Sequence, residues 1–106
     1  MTEEQLALVG LSKLDQAFAE FHAAHPEVYD WLHDRAVELV EHGHTRLGIK
    51  MLWESLRHET LLGNVGGEYR LNNNLTSRYA RLLMQHDPRL DGVFDTRELH
   101  DREEEP

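Results

Sequence analysis

The sequence predicts a mostly α-helical protein with four or five helices and one short β-hairpin, in an order typical of a winged helix. Apolar residues recur at the i, i+3, i+4, i+7 spacing of a helix face in several separate segments. The glycine-rich stretch from Gly63 to Gly67 interrupts the third of the long segments. The next residues, Glu68 to Asn72, alternate polar and apolar side chains as a half-buried strand does. We therefore expect a helix, a turn, a second helix and a hairpin to follow one another.

Two helix starts are predicted near the amino terminus. Thr2 and Ser12 each place a capping hydroxyl three residues before an amide or an acid. From the second start an apolar stripe continues to about Ala24, formed by Leu11, Leu14, Phe18 and Phe21. Gly10 is placed to separate the two helices.

The next helix is predicted to begin at Pro26 and to end before Gly43. Proline suits a first helical turn because it lacks the backbone donor that would be unpaired there, and Gly43 is placed as a C′ residue. Its apolar arc contains Val28, Tyr29, Leu32, Ala36, Leu39 and Val40. The far side is acidic and contains Glu27, Asp30, Asp34, Glu38 and Glu41. This helix therefore has one buried face and one acidic face.

Two further helices complete the prediction. The first spans Thr45 to Leu62, and its buried stripe is Ile49, Leu52, Trp53, Leu56 and Thr60. After the hairpin at Gly63 to Asn72, the asparagine run Asn72–Asn74 supplies a turn and an N-cap. The following stripe is Leu75, Tyr79, Leu82 and Leu83. Pro88 stops this helix, and a short segment then docks on the core through Leu90, Val93, Phe94 and Leu99.

The stripes together predict a single hydrophobic core. Its expected members are Leu14, Phe18, Phe21, Val28, Leu32, Leu39, Ile49, Leu52, Trp53, Leu56, Tyr79, Leu82 and Leu83. Trp31 lies near the edge of an apolar arc, beside Arg35. We expect it to cover the edge of the core, and contact with a partner is the alternative.

Length and composition predict one domain in a reducing compartment. The 106 residues suffice for one modest core, so we expect a single small helical domain over 1–100 and a disordered acidic tail over 101–106. The lack of cysteine excludes a disulfide framework and a thiolate metal site. No apolar run approaches the ~18 residues of a membrane span, and the first residues are acidic where a secretory signal would be basic. We expect a cytoplasmic protein.

No motif in the chain indicates catalysis, a cofactor or a metal. The eight histidines lack the spacing of a zinc motif, although His22 and His25 lie one helical turn apart. There is no phosphate loop with a lysine, no nucleophile elbow and no cysteine nucleophile. We therefore expect a non-enzymatic protein with no cofactor and no bound metal.

The charge distribution allows DNA binding at one place only. A net charge of −9 argues against general nucleic-acid binding, but the segment 46–90 contains seven basic and four acidic residues. A local basic patch can contact phosphates within a Debye length of ~8–10 Å. The candidate nucleic-acid-binding residues are Arg46, Lys50, Arg57, Arg70, Arg78 and Arg81. Alternatively, these bases neutralise the protein's own acids, since Glu54 lies one turn from both Lys50 and Arg57.

Several separated blocks of the sequence resemble a family of small bacteriophage and prophage proteins. The blocks are Phe21–Tyr29, Gly43–Arg57, Leu71–Arg81 and Phe94–Arg97. The resemblance covers roughly Phe18 to Leu99. It implies a phage or prophage source and expression in the cytoplasm of an infected or lysogenic bacterium, and it supplies no reaction, ligand or site residue.

Two functions remain open on the sequence. The first is a winged-helix-like DNA-binding or regulatory protein that contacts duplex DNA, with Thr45 to Leu62 as the recognition helix and Gly63 to Asn72 as the wing. The second is an interaction module that binds a host or phage protein. Its partner-binding residues would be the acidic set Glu27, Asp30, Asp34, Glu38 and Glu41.

Overall fold

The computed structural model describes residues 13–66 and 71–95, and this part of the chain is mostly α-helical. The helices are α1 (Lys13–Ala24), α2 (Pro26–Glu41), α3 (Ile49–Leu61) and α4 (Thr76–His86). Short 3₁₀ turns occupy Asn73–Leu75 and Pro88–Leu90. Helix α2 packs against α1, α3 and the second 3₁₀ turn, and α3 packs against α4. The mostly α prediction is confirmed.

The ends of α2 follow from two residues that the sequence marks. Pro26 occupies the first helical turn. At the other end Gly43 adopts a positive φ of 102°, and its backbone N–H donates to the carbonyl of Val40 over 2.9 Å. Glycine adopts this left-handed conformation without the steric strain that a Cβ atom would cause. The prediction that Gly43 is the C′ residue of this helix is therefore confirmed.

Helix α3 begins four residues later than predicted, at Ile49 rather than Thr45. Thr45 and Arg46 have no regular structure, and Leu47 forms an isolated parallel bridge with Phe94. The backbone N–H of Leu47 donates to the carbonyl of Val93 over 3.0 Å. A β-bridge requires extended rather than helical backbone at Leu47, and Gly48 is also extended, so the helix starts only at Ile49.

The described residues contain no strand at either end of the predicted hairpin. Gly63 to Val65 form a turn and bends, Gly66 is irregular, and residues 67–70 lie outside the described residues. Leu71 and Asn72 are irregular, and the Leu71 carbonyl accepts a hydrogen bond of 3.1 Å from the side chain of Arg57 instead of from a partner strand. Within the described ranges the Leu47–Phe94 bridge is the only β pairing, and a winged-helix arrangement is not seen there.

The proline stop behaves as predicted, whereas the asparagine run caps a 3₁₀ turn and not α4 itself, whose N-cap is Leu75. The side chain of Asn72 accepts a hydrogen bond of 2.9 Å from the backbone of Asn74, which caps the first 3₁₀ turn. Helix α4 ends at His86, two residues before Pro88. The predicted helix start at Thr2, the docking of Leu99 and the tail 101–106 lie outside the described residues.

The core lies between α2, α3 and α4. Beyond α1, eight of the predicted positions are buried in this core and Leu39 packs against it in part. Leu82 was predicted wrongly, because it is half-buried and outside the core cluster. The largest fully buried side chains are Trp53 and Tyr79. Leu14 was predicted wrongly, because it lies in the first turn of α1 and is 37% exposed. Leu90, Val93 and Phe94 are buried, so these three residues of the predicted docking segment pack on the core as expected. The loop residues Leu47 and Leu71 also add to the core.

Candidate interaction surface

The five predicted partner-binding acids form one continuous stripe on the outer side of α2. At 100° per residue Glu27, Asp30, Asp34, Glu38 and Glu41 fall within about 80° of arc. Glu27 is half-buried and the other four are exposed. The buried face of the same helix, which includes Val28 and Leu32, lies on the opposite side. We call these five residues the acidic stripe.

Nearby cations offset only part of the charge of the acidic stripe. Glu27 lies 3.8 Å from His25 Nδ1, and Asp34 lies 3.4 Å from His33 Nδ1. Each of these imidazoles contributes a positive charge only when it is protonated. Glu38 lies 3.3 Å from Nε of Arg35, one helical turn away. Because exposed pairs of this kind contribute little to stability, the stripe can exchange them for contacts with another molecule.

Two of the predicted DNA-contacting arginines bind partners within the protein. Arg57 pairs with Glu54, and its guanidinium also donates to the Leu71 carbonyl over 3.1 Å and to Asn73 Oδ1 over 2.9 Å. These bonds hold the chain just before α4. Arg78 Nε lies 2.7 Å from Asp15 Oδ1, and only 11% of the Arg78 side chain is exposed. This ion pair joins α4 to α1.

The remaining predicted cations differ in exposure. Arg46 and Lys50 are exposed at the start of α3, and Arg81 is half-buried on α4. Arg70 lies outside the described residues. Lys50 and Asn73 line a common hollow of about 350 Å³ together with Trp53 and Glu54. The structure therefore brings Lys50 and Arg57 together beside the asparagine run, and it places Arg78 and Arg81 on a different helix.

A second surface feature is a groove of about 380 Å³ between α2 and α3. Trp31, Met51 and Glu59 are among its lining residues. Trp31 packs in part against the core, as predicted for a side chain that covers its edge. The guanidinium of Arg35 stands over the indole ring, 4.9 Å from its centre. We call this feature the α2–α3 groove.

Sequence reasoning missed the role of Met51 in the groove. Its side chain is 52% exposed. The signal was present, because Met51 falls on the polar side of the α3 pattern, where an apolar residue has no core to fill.

Sequence reasoning also missed a cluster of aromatic and ionisable side chains where α2 meets the end of α4. His33 Nε2 lies 2.7 Å from Asp87 Oδ2, and the ring of Tyr29 stacks on that of His33 with centres 6.0 Å apart. Hydrogen bonds from Arg89 and from His33 hold the pKa of the Asp87 carboxyl well below its usual range. Burial raises the pKa of the Tyr29 phenol, and the Asp87 charge adds to this effect. In the sequence the Asp87-Pro88 pair indicates a turn, but it does not indicate that Asp87 binds His33 and Arg89.

No protein-family model, curated protein or solved structure matches this chain. The functional argument therefore depends on the surface itself. Among the described residues, no group of three or more histidines and carboxylates is placed to hold a metal ion. No helix in the described ranges is both long enough and apolar enough to cross a membrane.

Proposed function

We propose that this protein is a non-enzymatic interaction module that binds a basic protein partner through the acidic stripe of α2. The observation that carries the proposal is the placement of five carboxylates on one side of one helix, four of them exposed. The opposite side of α2 is fixed in the core. A rigid helix therefore presents this charge at constant spacing.

The electrostatics of the whole chain support a basic partner. The net charge of −9 attracts cations over a distance and speeds their approach. The same charge repels phosphate backbones. Arg57 and Arg78 use their guanidinium groups on Glu54, Asp15 and backbone or amide oxygens of the protein, which favours the protein partner over DNA.

The resemblance to small phage and prophage proteins gives this proposal a biological setting. In that setting the module acts in the cytoplasm of an infected or lysogenic bacterium, and its partner is a host or phage protein. A protein of this kind changes the activity of its partner by occupying a basic surface.

The test is a pull-down from host lysate, with and without nuclease, using the wild type and Asp30→Asn/Asp34→Asn/Glu38→Gln. We expect a partner that survives nuclease treatment and is lost with this variant. The matched control, Glu103→Gln/Glu104→Gln/Glu105→Gln, removes the same number of charges from the acidic carboxyl-terminal sequence. Retention of the partner by the stripe variant, or equal loss with the control, would refute the proposal.

The second candidate is a winged-helix-like DNA-binding protein, with α3 as the recognition helix and residues 63–72 as the wing. One observation favours it: Arg46 and Lys50 are exposed at the start of α3, and the exposed Asn73 lies beside Lys50. On this hypothesis affinity for duplex DNA falls with salt, and each phosphate-contacting cation that is removed lowers the log–log slope by about one.

Fluorescence anisotropy against mixed duplexes at about 50 mM salt tests this candidate. Charge reversal of Arg46 and Lys50 should abolish binding, and reversal of Arg97 should have little effect. Absence of wild-type binding to random DNA and to DNA of the source phage would eliminate it.

A further inference from the structure

The α2–α3 groove has an apolar part that is partly exposed among the described residues. Met51 is 52% exposed, and the large indole of Trp31 is half-buried beside it. Apolar side chains that enter this groove remove both from water, which is favourable in proportion to the area covered. Trp and Met are also among the residues enriched at protein interfaces.

The groove is continuous with the acidic stripe. Glu27 and Asp34 stand at i−4 and i+3 from Trp31, so both lie next to the indole on the surface of α2. Glu54 and Glu59 line the groove from the α3 side. The apolar part therefore has carboxylates on both sides.

The cation within the groove does not cancel this negative charge. The guanidinium of Arg35 stands over the indole of Trp31, 4.9 Å from its centre, and Arg35 Nε lies 3.3 Å from Glu38. The guanidinium covers one face of the indole, and its charge is offset by a carboxylate of the stripe. The groove therefore favours a ligand with an apolar stripe and cations beside it.

We propose that the α2–α3 groove binds a basic amphipathic helix of the partner protein. Apolar side chains at i and i+4 of that helix pack on Trp31 and Met51, and lysines or arginines on its flanks reach the acidic stripe. A helix fits because the stripe runs along α2 from Glu27 to Glu41, a length of about 21 Å. A partner helix of about 14 residues spans that length and can place apolar side chains on the groove and cations on the stripe at once. This inference rests on the proposed function and names the class of partner.

Three synthetic helical peptides of equal length test the proposal. The first carries leucines on one face and lysines on its flanks, the second replaces the leucines by glutamine, and the third replaces the lysines by glutamate. We expect the leucine–lysine peptide to bind at least about tenfold more tightly than the glutamine–lysine peptide, because its leucines are buried on binding. We expect the leucine–glutamate peptide not to bind.

Acrylamide quenching of tryptophan fluorescence locates the bound peptide. Trp53 is 1% exposed and shielded from the quencher, so the quenchable signal comes from the half-buried Trp31. The leucine–lysine peptide should protect this signal. Binding without protection would place the peptide elsewhere and overturn the proposal.

A pair of variants with the same charge change separates the groove from the rest of the surface. Met51→Lys puts a cation into the groove, whereas Leu62→Lys puts it at a 71% exposed position that is not among the described lining residues. We expect Met51→Lys to weaken the leucine–lysine peptide at least about tenfold more than Leu62→Lys does. Equal effects would overturn the proposal.

The outcomes distinguish failure of this inference from failure of the proposed function. If both lysine peptides bind equally and both are lost with Asp30→Asn/Asp34→Asn/Glu38→Gln, the acidic stripe binds cations and the groove contributes nothing. If neither lysine peptide binds, both proposals fail: the acidic stripe does not bind a basic partner, and the groove does not bind a helix.

Discussion

Truncation of Leu56 to alanine should destabilise the protein by about 2–5 kcal/mol. Leu56 lies in α3 and is 0% exposed, in contact with the cluster between α2, α3 and α4. The change removes three buried carbon atoms at about 0.8 kcal/mol each. The cavity that remains adds to this cost because its walls relax only in part. The total is a large share of the ~5–15 kcal/mol by which domains are stable.

Urea denaturation followed by circular dichroism measures this effect. We expect a lower midpoint with an unchanged dependence on urea, since the surface exposed on unfolding stays nearly the same. Met51→Ala is the matched control in the same helix, and at 52% exposure it should cost less than about 1 kcal/mol. If Leu56→Ala cost no more than Met51→Ala, the assignment of the α3 faces would be refuted.

Three further predictions concern single interactions. The pKa of Asp87 is lowered in the folded protein, so its carboxylate stabilises the fold above the ordinary pKa of ~3.9, and this stabilisation is lost as the pH falls below that value. Asp87→Asn should therefore have a lower urea midpoint than the wild type at neutral pH. The two midpoints should converge in acid. Arg78→Ala removes the ion pair to Asp15, so amides of α1 should exchange about two- to fivefold faster in hydrogen exchange while those of α3 keep their protection. Gly43→Ala meets no atom within 4 Å but must adopt a φ of +102°, so it should lower stability by about 1–2 kcal/mol in thermal unfolding.

The sequence predicted the ends of helices better than it predicted the contacts between them. Pro26, Gly43 and Asn72 act on backbone groups within a few residues, so their effects are visible in a short window of sequence. The start of α3 was missed because Leu47 is held in an extended bridge with Phe94, far along the chain. A local pattern contains no information about such a partner.

In the candidate site, too, the sequence predicts local features but not long-range contacts. The acidic stripe follows directly from helical periodicity, and the structure places its five residues as expected. The basic set was less predictable, because periodicity gives the side of the helix on which Arg57 and Arg78 lie but not the groups that they bind. Their partners, the Leu71 carbonyl and Asp15, lie on other elements. Long cationic side chains reach across such gaps, so their availability depends on the tertiary structure.

The Leu47–Phe94 bridge has a consequence for the order in which this chain can fold. All of α3 and α4 lies between its two residues, so the entropy of closing that loop must be overcome before the bridge contributes. During synthesis α2 and α3 leave the ribosome before Val93 and Phe94, so the Leu47 segment has no partner until those two residues emerge. A nascent chain arrested before Val93 would therefore lack the Leu47–Phe94 bridge, and the start of α3 would remain frayed.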